Sequence, residues 1–326
     1  MAIAKLIDIH VHAPPFEPID FGSGRRFVLK ETLALKFLRH RLGISAGDKD
    51  PSKTYLDNLS GEIKTSKRVA KAVLLPMDGL YLSSGLIDAD RTKFMVSNDA
   101  VLGWAKSYDT FIPACSINPL RRDSIDELER CKALGAVLNK VIPNSQGFDP
   151  LDKKFLSFWK KMADLRMPLL THSGYEFALS SVNQSYGDPA RLAAILDAGV
   201  TVILAHGGST GLFIYERYAD IVKELMRKHE NLFLDTSALT LPSRQGMLKV
   251  IRRMLTEDGS VKGRLLFGTD YPVPVFALPC IAAGLGPYLN IRKERNSFDR
   301  AAMVFEAIGI GFEGEAALKL LNTAPK

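Results

Sequence analysis

The chain has 326 residues, of which 46% are hydrophobic and 24% are charged. These are the proportions of an ordinary globular protein, so the composition excludes intrinsic disorder, collagen and a coiled coil. The formal charge of +7 comes from small, scattered groups of Lys and Arg rather than from a basic stripe that would indicate nucleic-acid binding. We therefore expect a small anionic partner, a carboxylate for example, and no nucleic acid.

The sequence gives no sign of export or of a membrane anchor. Its three cysteines form neither a Cys-x-x-Cys motif nor a disulfide framework, which fits a reducing compartment. The first residues lack the layout of a signal peptide. The uncharged stretch 271–291 has the length of a membrane span, but its four prolines and two glycines argue against a continuous helix. We predict a cytoplasmic protein without membrane contacts.

Short apolar runs alternate with amphipathic stretches along the chain. Eight of the runs have the length and β-branched content of buried strands, at residues 5–10, 70–76, 110–117, 136–142, 167–172, 200–206, 231–236 and 264–270. Helices are predicted between them, at residues 124–134, 151–165, 189–198, 212–228 and 243–255. Eight strands separated by helices predict an α/β fold, the (β/α)8 TIM barrel. A doubly wound open sheet is the alternative, but no glycine-rich nucleotide-binding turn follows the first strand.

The connection between the first two predicted strands is unusually long. Residues 13–67 include a predicted helix at 31–42 and a polar stretch at 45–53. Insertions of this length usually serve as lids or binding loops. We therefore expect one TIM-barrel domain over residues 1–326, with residues 13–67 as its lid. Arg25 and Arg26, on this loop, are either a solvated pair or a bidentate site for a substrate carboxylate.

Four of the six histidines lie where predicted strands end. His10 and His12 close the first strand two residues apart, so both should project to one face. His172 ends the fifth strand, His206 the sixth and Asp270 the eighth. The carboxyl ends of barrel strands meet at one rim, so these five side chains should converge. Their joint placement favours a metal site over isolated, hydrogen-bonded histidines.

Imidazole and carboxylate ligands without thiolate suit Zn²⁺, Mn²⁺ or Fe²⁺, and we expect zinc, with one metal per chain favoured over two. Asp8 lies two residues before His10, and Asp235 ends the seventh predicted strand. Either carboxylate could orient a histidine by a hydrogen bond. The remaining histidines, His40 and His229, fall in charged helical stretches and are expected at the surface.

The motifs at the strand ends resemble those of the amidohydrolase superfamily, in the amidohydrolase-related branch that includes aminocarboxymuconate-semialdehyde decarboxylase and resorcylate decarboxylases. The resemblance is carried by HVH at 10–12, PACSINP at 113–119, PNSQGFDP at 143–150, THSG at 171–174, AHGG at 205–208 and FGTDYP at 267–272. It spans nearly the whole chain. The branch contains hydrolases, lactonases, hydratases and decarboxylases, so the resemblance alone does not determine the reaction.

The resemblance implies roles for individual residues. The implied metal ligands are His10, His12, His172 and Asp270. His206 is implied to lie beside the metal, where it would polarise the substrate or move a proton.

Three further residues are candidates to contact the substrate. Lys140, on the fourth strand, is a structural or substrate-binding lysine, or a carbamylated bridge between two metals as in binuclear relatives. Tyr175 and Glu176 follow the fifth strand and are expected in the mouth of the site.

Our leading hypothesis is metal-dependent hydrolysis of a small carboxylic-acid derivative, a lactone, ester or amide. A metal-activated water would attack, Asp270 would take its proton, and His206 would polarise the carbonyl or stabilise the oxyanion. The alternative is a non-oxidative decarboxylase (a carboxy-lyase) of an aromatic or unsaturated carboxylic acid, in which His206 or Asp270 protonates the carbon that loses CO₂.

Two other functions are disfavoured. The complete ligand set argues against a binding protein without catalysis, and the lack of a basic stripe argues against a metal-dependent nuclease. The uncharged segment 273–289 has three interpretations: buried packing, a lid over the site, or the interface of a homodimer.

Overall fold

The computed structural model describes residues 5–16, 19–20, 25–26, 39–45, 47–212 and 216–321. At its centre lie eight parallel strands, and each falls within one of the eight apolar runs, give or take two residues. They are β1 (Leu6–His12), β2 (Val69–Leu75), β3 (Phe111–Pro113), β4 (Asn139–Val141), β5 (Leu169–Thr171), β6 (Val202–Leu204), β7 (Leu232–Asp235) and β8 (Leu265–Leu266). A separate two-residue antiparallel pair joins Ile19–Asp20 to Arg25–Arg26.

Hydrogen bonds join these eight strands into a closed barrel. Strands β1 to β3 form one parallel ladder and β4 to β8 another. A parallel bridge between Cys115 and Asn139 connects β3 to β4. At the opposite seam the Ile9 N–H donates to the Phe267 carbonyl at 3.0 Å, which connects β1 to β8. The fold is therefore a (β/α)8 TIM barrel, as predicted, and not an open doubly wound sheet.

Helices surround the barrel. They are α1 (Pro51–Thr65), α2 (Asn98–Ser107), α3 (Ser124–Ala133), α4 (Pro143–Gln146), α5 (Leu156–Asp164), α6 (Ala193–Asp197), α7 (Ala219–Lys228), α8 (Gln245–Arg253), α9 (Leu285–Lys293), α10 (Ser297–Ala307) and α11 (Gly314–Leu320). The helices predicted from residues 151 and 189 become α-helical only at Leu156 and Ala193, because a 3-10 turn precedes each.

The helix predicted from Leu212 begins only at Ala219. Before the helix, the Glu216 carboxylate accepts hydrogen bonds from the Ser209 hydroxyl and the Thr210 N–H, both at 2.8 Å, instead of leaving Glu216 in a helical turn. Side-chain bonds of this kind compete with helix formation.

The prediction for His229 was also wrong. This residue ends α7 and is only 7% exposed, and its carbonyl accepts a hydrogen bond from Arg264 at 2.8 Å. The charged neighbours of His229 in the sequence suggested a surface position, but the turn into β7 draws the ring under the barrel wall. His40 is exposed, as expected.

Helix α1 lies inside the predicted insertion and was not anticipated, because it opens on a polar turn. The Asp50 carboxylate caps it by accepting from the Lys53 N–H at 2.9 Å. Farther along, the Tyr55 hydroxyl donates to the carbonyl of His12 at 2.7 Å, so α1 supports the end of β1. Most of the helix predicted at 31–42 lies outside the described residues, although 39–41 are helical. The role of residues 13–67 as a lid stays a prediction.

A hydrophobic cluster fills the barrel interior and forms the floor of the space above it. Because it draws on strands all around a closed barrel, it must lie inside. Its members include Ile7, Ile9, Val73, Leu75, Ile112, Leu138, Leu170, Ile203 and Leu266. Alternate residues of a strand share a face. Lys140 lies two residues after Leu138, His172 two residues after Leu170, and Asp270 four residues after Leu266. These three side chains therefore also point inward, above the floor, and they line the cavity there.

The uncharged stretch 271–291 is not a membrane segment. None of the helices in the described ranges has the length and apolarity needed to cross a membrane. The stretch starts at the cavity, which Val273 and Pro274 help to line. It continues through a 3-10 turn into α9, where Leu285 and Leu289 are 70% and 52% exposed. One part of the stretch thus forms a wall of the cavity, and another part forms an exposed apolar surface. Its use as a dimer interface stays a prediction.

Candidate metal and substrate site

The carboxyl-terminal rim of the barrel surrounds a cavity of about 520 Å³. Every predicted site residue with a described side chain lines it, namely His10, His12, Lys140, His172, Tyr175, Glu176, His206 and Asp270. The backbone of Arg25 pairs with Asp20. The side chains of Arg25 and Arg26 lie outside the described part of the chain, so their predicted contact with substrate is not addressed.

His10, His12 and Asp270 form a compact group. Asp270 Oδ1 lies 2.9 Å from His12 Nε2 and 3.3 Å from His10 Nε2. One ligand atom from each residue lies within 4.8 Å of the other two. Burial acts to raise the pKa of Asp270, but the nearby His10 and the hydrogen bond from His12 outweigh it and lower that pKa. Asp270 is therefore an ionised carboxylate beside two imidazoles, a donor set that suits a divalent metal.

A β-bulge in β1 places His10 in this group. The pairing of β1 with β2 shifts register between Asp8 and Val11, which breaks the alternation of side chains along the strand. The carboxylate of Asp8 accepts a hydrogen bond from the Thr269 hydroxyl at 2.6 Å and does not contact the His10 ring. Asp8 therefore does not orient the His10 ring, and of the two candidate carboxylates only Asp235 can do so.

Asp235, at the end of β7, orients the His10 ring. Its Oδ2 lies 2.7 Å from His10 Nδ1. Its Oδ1 accepts from the N–H of His206 at 2.7 Å and from the N–H of Ser237 at 3.0 Å, an environment of donors that suits a carboxylate. The proton of His10 therefore sits on Nδ1 and the lone pair of Nε2 faces the group. A Cβ at Gly268 would come within 3.1 Å of His10 Cβ, so the glycine leaves room for this ring.

Ser237 fixes the orientation of His206. His206 Nδ1 lies 3.0 Å from the Ser237 carbonyl oxygen and 2.8 Å from its hydroxyl. A carbonyl only accepts, and the Ser237 hydroxyl donates to Asp235 at 2.5 Å, so Nδ1 carries the proton of His206. Burial lowers the pKa of His206 well below its ordinary value. The ring is therefore neutral, and its Nε2 is an acceptor or a base.

His172 leaves an unsatisfied nitrogen in the same cavity. Its Nε2 is buried without a hydrogen-bond partner in the described structure, and the nearest carboxylate oxygen, on Glu176, is 3.7 Å away. Burial lowers the pKa of His172 to about 3, so the ring is neutral. A buried lone pair without a donor is what a metal ligand offers. His172 does not join the compact group within 4.8 Å, yet its free nitrogen and the His-His-Asp donor set together fit a divalent metal.

Lys140 lies beside the metal group rather than in the mouth of the cavity. Its Nζ is 3.2 Å from His10 Nε2, and the residue is only 1% exposed. Burial lowers the pKa of Lys140 to about 8, so a sizeable fraction of the amine is neutral near physiological pH. Whether this amine is structural, contacts substrate or carries a carbamate stays open.

Tyr175 and Glu176 occupy different positions. The Tyr175 ring lies at the mouth, and its hydroxyl accepts a hydrogen bond from Arg217 at 3.4 Å. Glu176 is buried, and its carboxylate accepts from the N–H groups of Ala178 and Leu179 at 2.5 and 2.8 Å. Glu176 thus holds the loop after β5 in place beside His172.

Two residues of the site were missed in the sequence. Ser237 follows Asp235 by two positions. A Ser so close to an Asp at a strand end could have indicated a second polar residue of the site. Arg244 lines the cavity from the 3-10 turn Pro242–Arg244, between β7 and α8. No sequence motif indicates Arg244, because it lies in an irregular loop without a repeating pattern of apolar and polar residues.

The outer walls of the cavity are apolar. They are formed largely by aromatic and aliphatic side chains, among them Phe16, Met77, Phe94, Ile142, Phe177, Leu241 and Val273. The cavity therefore combines the polar His-His-Asp group with walls that can pack against a flat, apolar part of a ligand.

The chain belongs to the amidohydrolase family, whose model matches residues 7–280. The comparison with curated proteins finds no match. Members of the family are enzymes that act on small carboxylate substrates and typically bind a divalent metal, in keeping with the His-His-Asp group. Membership leaves the reaction open.

Solved structures with the same fold are distant in sequence. An uncharacterised TIM-barrel protein of Bordetella bronchiseptica is 17% identical with a TM-score of 0.58, covering 97% of this chain and 95% of its own. A probable 2-pyrone-4,6-dicarboxylic acid hydrolase of Acinetobacter baumannii is 15% identical with a TM-score of 0.54, covering 98% and 99%. A dihydroxybenzoic acid decarboxylase of a Polaromonas species, with bound manganese and 2-nitroresorcinol, is 18% identical with a TM-score of 0.52, covering 99% and 97%.

Proposed function

We propose that this amidohydrolase is a metal-dependent hydrolase of a small carboxylic-acid derivative, a lactone, ester or amide. The observation that carries the proposal is the meeting of the ionised Asp270 with His12 at 2.9 Å and with His10 at 3.3 Å in the cavity. Such a group offers metal ligands and a proton acceptor at one point.

His10, His12, His172 and Asp270 would hold the metal, which we expect to be one zinc per chain, with manganese or iron as alternatives. A divalent metal there would supply a Lewis acid that makes water more acidic and polarises a carbonyl. Asp270 would accept the proton of the attacking water and pass it to the leaving group, a role that its lowered pKa supports because the carboxylate is ionised at neutral pH.

His206 would act through Nε2. Because its Nδ1 proton is committed to Ser237, the neutral ring can accept a hydrogen bond or a proton but cannot donate one from Nε2. Stabilising an oxyanion would require the imidazolium, which burial disfavours. We therefore propose that His206 Nε2 accepts a hydrogen bond from the attacking water rather than polarising the carbonyl, which revises our first hypothesis for this residue.

Metal content and turnover test the proposal together. Elemental analysis of purified protein should find about one zinc, manganese or iron per chain, and a screen of lactones, esters and amides should find acid release that a chelator abolishes. Two metals per chain would favour a carbamylated Lys140 and a liganding His206. The absence of any metal after reconstitution would contradict the proposal.

Non-oxidative decarboxylation is the second candidate, and the cavity walls favour it. Aromatic side chains such as Phe16, Phe94 and Phe177 suit a flat, unsaturated acid. The Polaromonas neighbour, a dihydroxybenzoic acid decarboxylase, acts on such an acid. In this reaction the metal site would bind substrate oxygens, and the proton would reach the carbon that loses CO₂ through His206 or Asp270. Either residue would first have to take up a proton, because the His206 ring is neutral and Asp270 is ionised. Release of CO₂ from aromatic acids, without base-titrated acid release, would favour this candidate over hydrolysis.

We retain the other expectations as proposals. The protein would act in the cytoplasm as one domain over residues 1–326, with residues 13–67 closing over the cavity. The exposed leucines of α9, Leu285 and Leu289, are a plausible surface for a homodimer.

A further inference from the structure

Arg244 presents a guanidinium nitrogen that has no hydrogen-bond partner in the described part of the chain. Its Nη1 is buried and has no hydrogen-bond partner. No carboxylate oxygen in the described ranges forms an ion pair with it within 4.0 Å. The N–H groups of Nη1 have lost water without gaining an acceptor, which costs free energy.

The carboxylates around Arg244 are already hydrogen-bonded to other groups. Asp270 is bonded to His12 at 2.9 Å, and Glu176 accepts from the backbone of its own loop. Glu216 accepts from Ser209 and Thr210. None of the three forms an ion pair with Arg244 within 4.0 Å, so their charges act on it only from a greater distance.

The guanidinium belongs to the same cavity as the metal group. Arg244 lines it together with His10, His172 and Asp270. After burial, its charge is among the causes that lower the pKa of His172 and of His206, so it lies close enough to both to act on them.

The turn that carries Arg244 is rigid. The next residue, Gln245, uses its side-chain amide to bind three successive carbonyls of the loop after β7, those of Leu239, Thr240 and Leu241, at 3.3, 3.2 and 3.2 Å. Across the cavity mouth, Gly211 has no side chain that could cover the guanidinium; a Cβ there would be 3.9 Å from Arg244 Nη2. The loop that carries Arg244 is thus held in place, and its guanidinium is left open toward the cavity.

We infer that Arg244 recognises a carboxylate of the substrate other than the group that reacts at the metal site. The inference rests on the proposed function and deepens it, because it assigns the substrate class: a small acid with two anionic groups, or an acid derivative that keeps a free carboxylate. The planar guanidinium binds a carboxylate through two parallel hydrogen bonds, a geometry that lysine cannot reproduce. Arg244 determines specificity and takes no part in proton transfer.

Binding without turnover tests the inference. Isothermal titration of metal-loaded protein would compare succinate, glutarate and benzene-1,3-dicarboxylate with their respective monoamides, which keep the shape but lose one charge. The wild-type protein should bind at least one dicarboxylate ten or more times as tightly as its monoamide. Arg244→Gln should bring that ratio close to one, and Arg244→Lys should leave an intermediate ratio.

Arg252→Gln is the matched control, because Arg252 lies exposed on α8, eight residues farther along; it should keep the wild-type ratio. The melting temperature of Arg244→Gln should stay the same or rise, since a buried nitrogen without a hydrogen-bond partner is removed. A wild-type protein that never prefers a dicarboxylate, or an Arg244→Gln protein that keeps the preference, would overturn the inference. A protein with no hydrolase or decarboxylase activity but a normal binding preference would instead contradict only the proposed function.

Discussion

The two sides of the cavity differ in how completely their polar atoms are satisfied. On one side, which we name the paired side, His10, His12, Asp235 and Asp270 bond to one another at 2.7 to 3.3 Å. On the other, the open side, His172 Nε2 and Arg244 Nη1 are buried without hydrogen-bond partners among the described residues. The paired side is organised before any ligand arrives. The open side becomes satisfied only when something binds.

The largest effect is expected from removing the charge of the paired side. Asp270→Asn keeps the shape but cannot accept the proton of the attacking water, so turnover should fall by about 10²–10⁴-fold. Steady-state kinetics with elemental analysis would check this. If the variant keeps a metal content near that of the wild type, its loss of turnover is due to proton transfer. Full activity in the variant would refute the role of Asp270 as proton acceptor.

The next effect concerns the support of His10. Asp235→Asn removes the carboxylate that holds the His10 ring, so metal affinity should fall by about 10–100-fold. Competition with a chromophoric chelator measures this affinity.

Asp8→Asn is the matched control, because Asp8 is equally buried but bonds to Thr269 rather than to the ring. It should lower the melting temperature and leave metal affinity within a few-fold of the wild type. Equal losses of metal affinity in the two variants would contradict the conclusion that Asp235 supports the His10 ring and Asp8 does not.

The open side should respond differently when the metal is absent. His172→Gln removes a nitrogen that has no partner, so the free energy of unfolding of metal-free protein should change by less than about 1 kcal/mol. The same variant should lose much of the stabilisation that metal adds, which reaches about 4 kcal/mol at a thousandfold excess over Kd. Denaturant unfolding with and without metal measures both quantities. A large loss of stability in metal-free His172→Gln protein would mean that the open side is structurally paired after all.

The smallest effect is expected at Ser237. Ser237→Ala removes the hydroxyl that bonds to His206 Nδ1 but leaves the Ser237 carbonyl at 3.0 Å as an acceptor. The tautomer of His206 should persist. Turnover should fall only about five- to thirtyfold, which corresponds to roughly 1–2 kcal/mol for the hydroxyl's hydrogen bonds to His206 and Asp235. A loss as great as that of Asp270→Asn would show that the hydroxyl itself moves a proton. Kinetics of the two variants, side by side, makes the comparison.

The sequence predicted the paired side better than the open side, and the reason is geometric. The eight strands were visible as apolar runs, and barrel closure brings the strand ends together, so His10, His12, His172, His206 and Asp270 could be placed at one rim. The sequence could not decide between Asp8 and Asp235 as the partner of His10, because a one-residue bulge is invisible in the pattern. Arg244 lies on a loop whose path depends on tertiary contacts, such as those of Gln245, which no periodicity encodes.

Helix α1 was missed for a related reason. Its polar first turn, capped by Asp50, reads as a solvated loop. The apolar face that makes it a helix of the barrel, which includes Tyr55, Leu56 and Leu59, is recognised only once β1 and β2 are in place beside it. Tertiary packing outweighs local composition here.

The seam between β1 and β8 has a consequence for how the protein matures. His12 and Asp270 are 258 residues apart in sequence, and they meet only across that seam. The ligand group therefore cannot form in any partly built barrel, and contacts of such long range form slowly. A metal that binds this group would bind the closed barrel almost exclusively and would shift the folding equilibrium toward it. Metal uptake would then report the completion of folding.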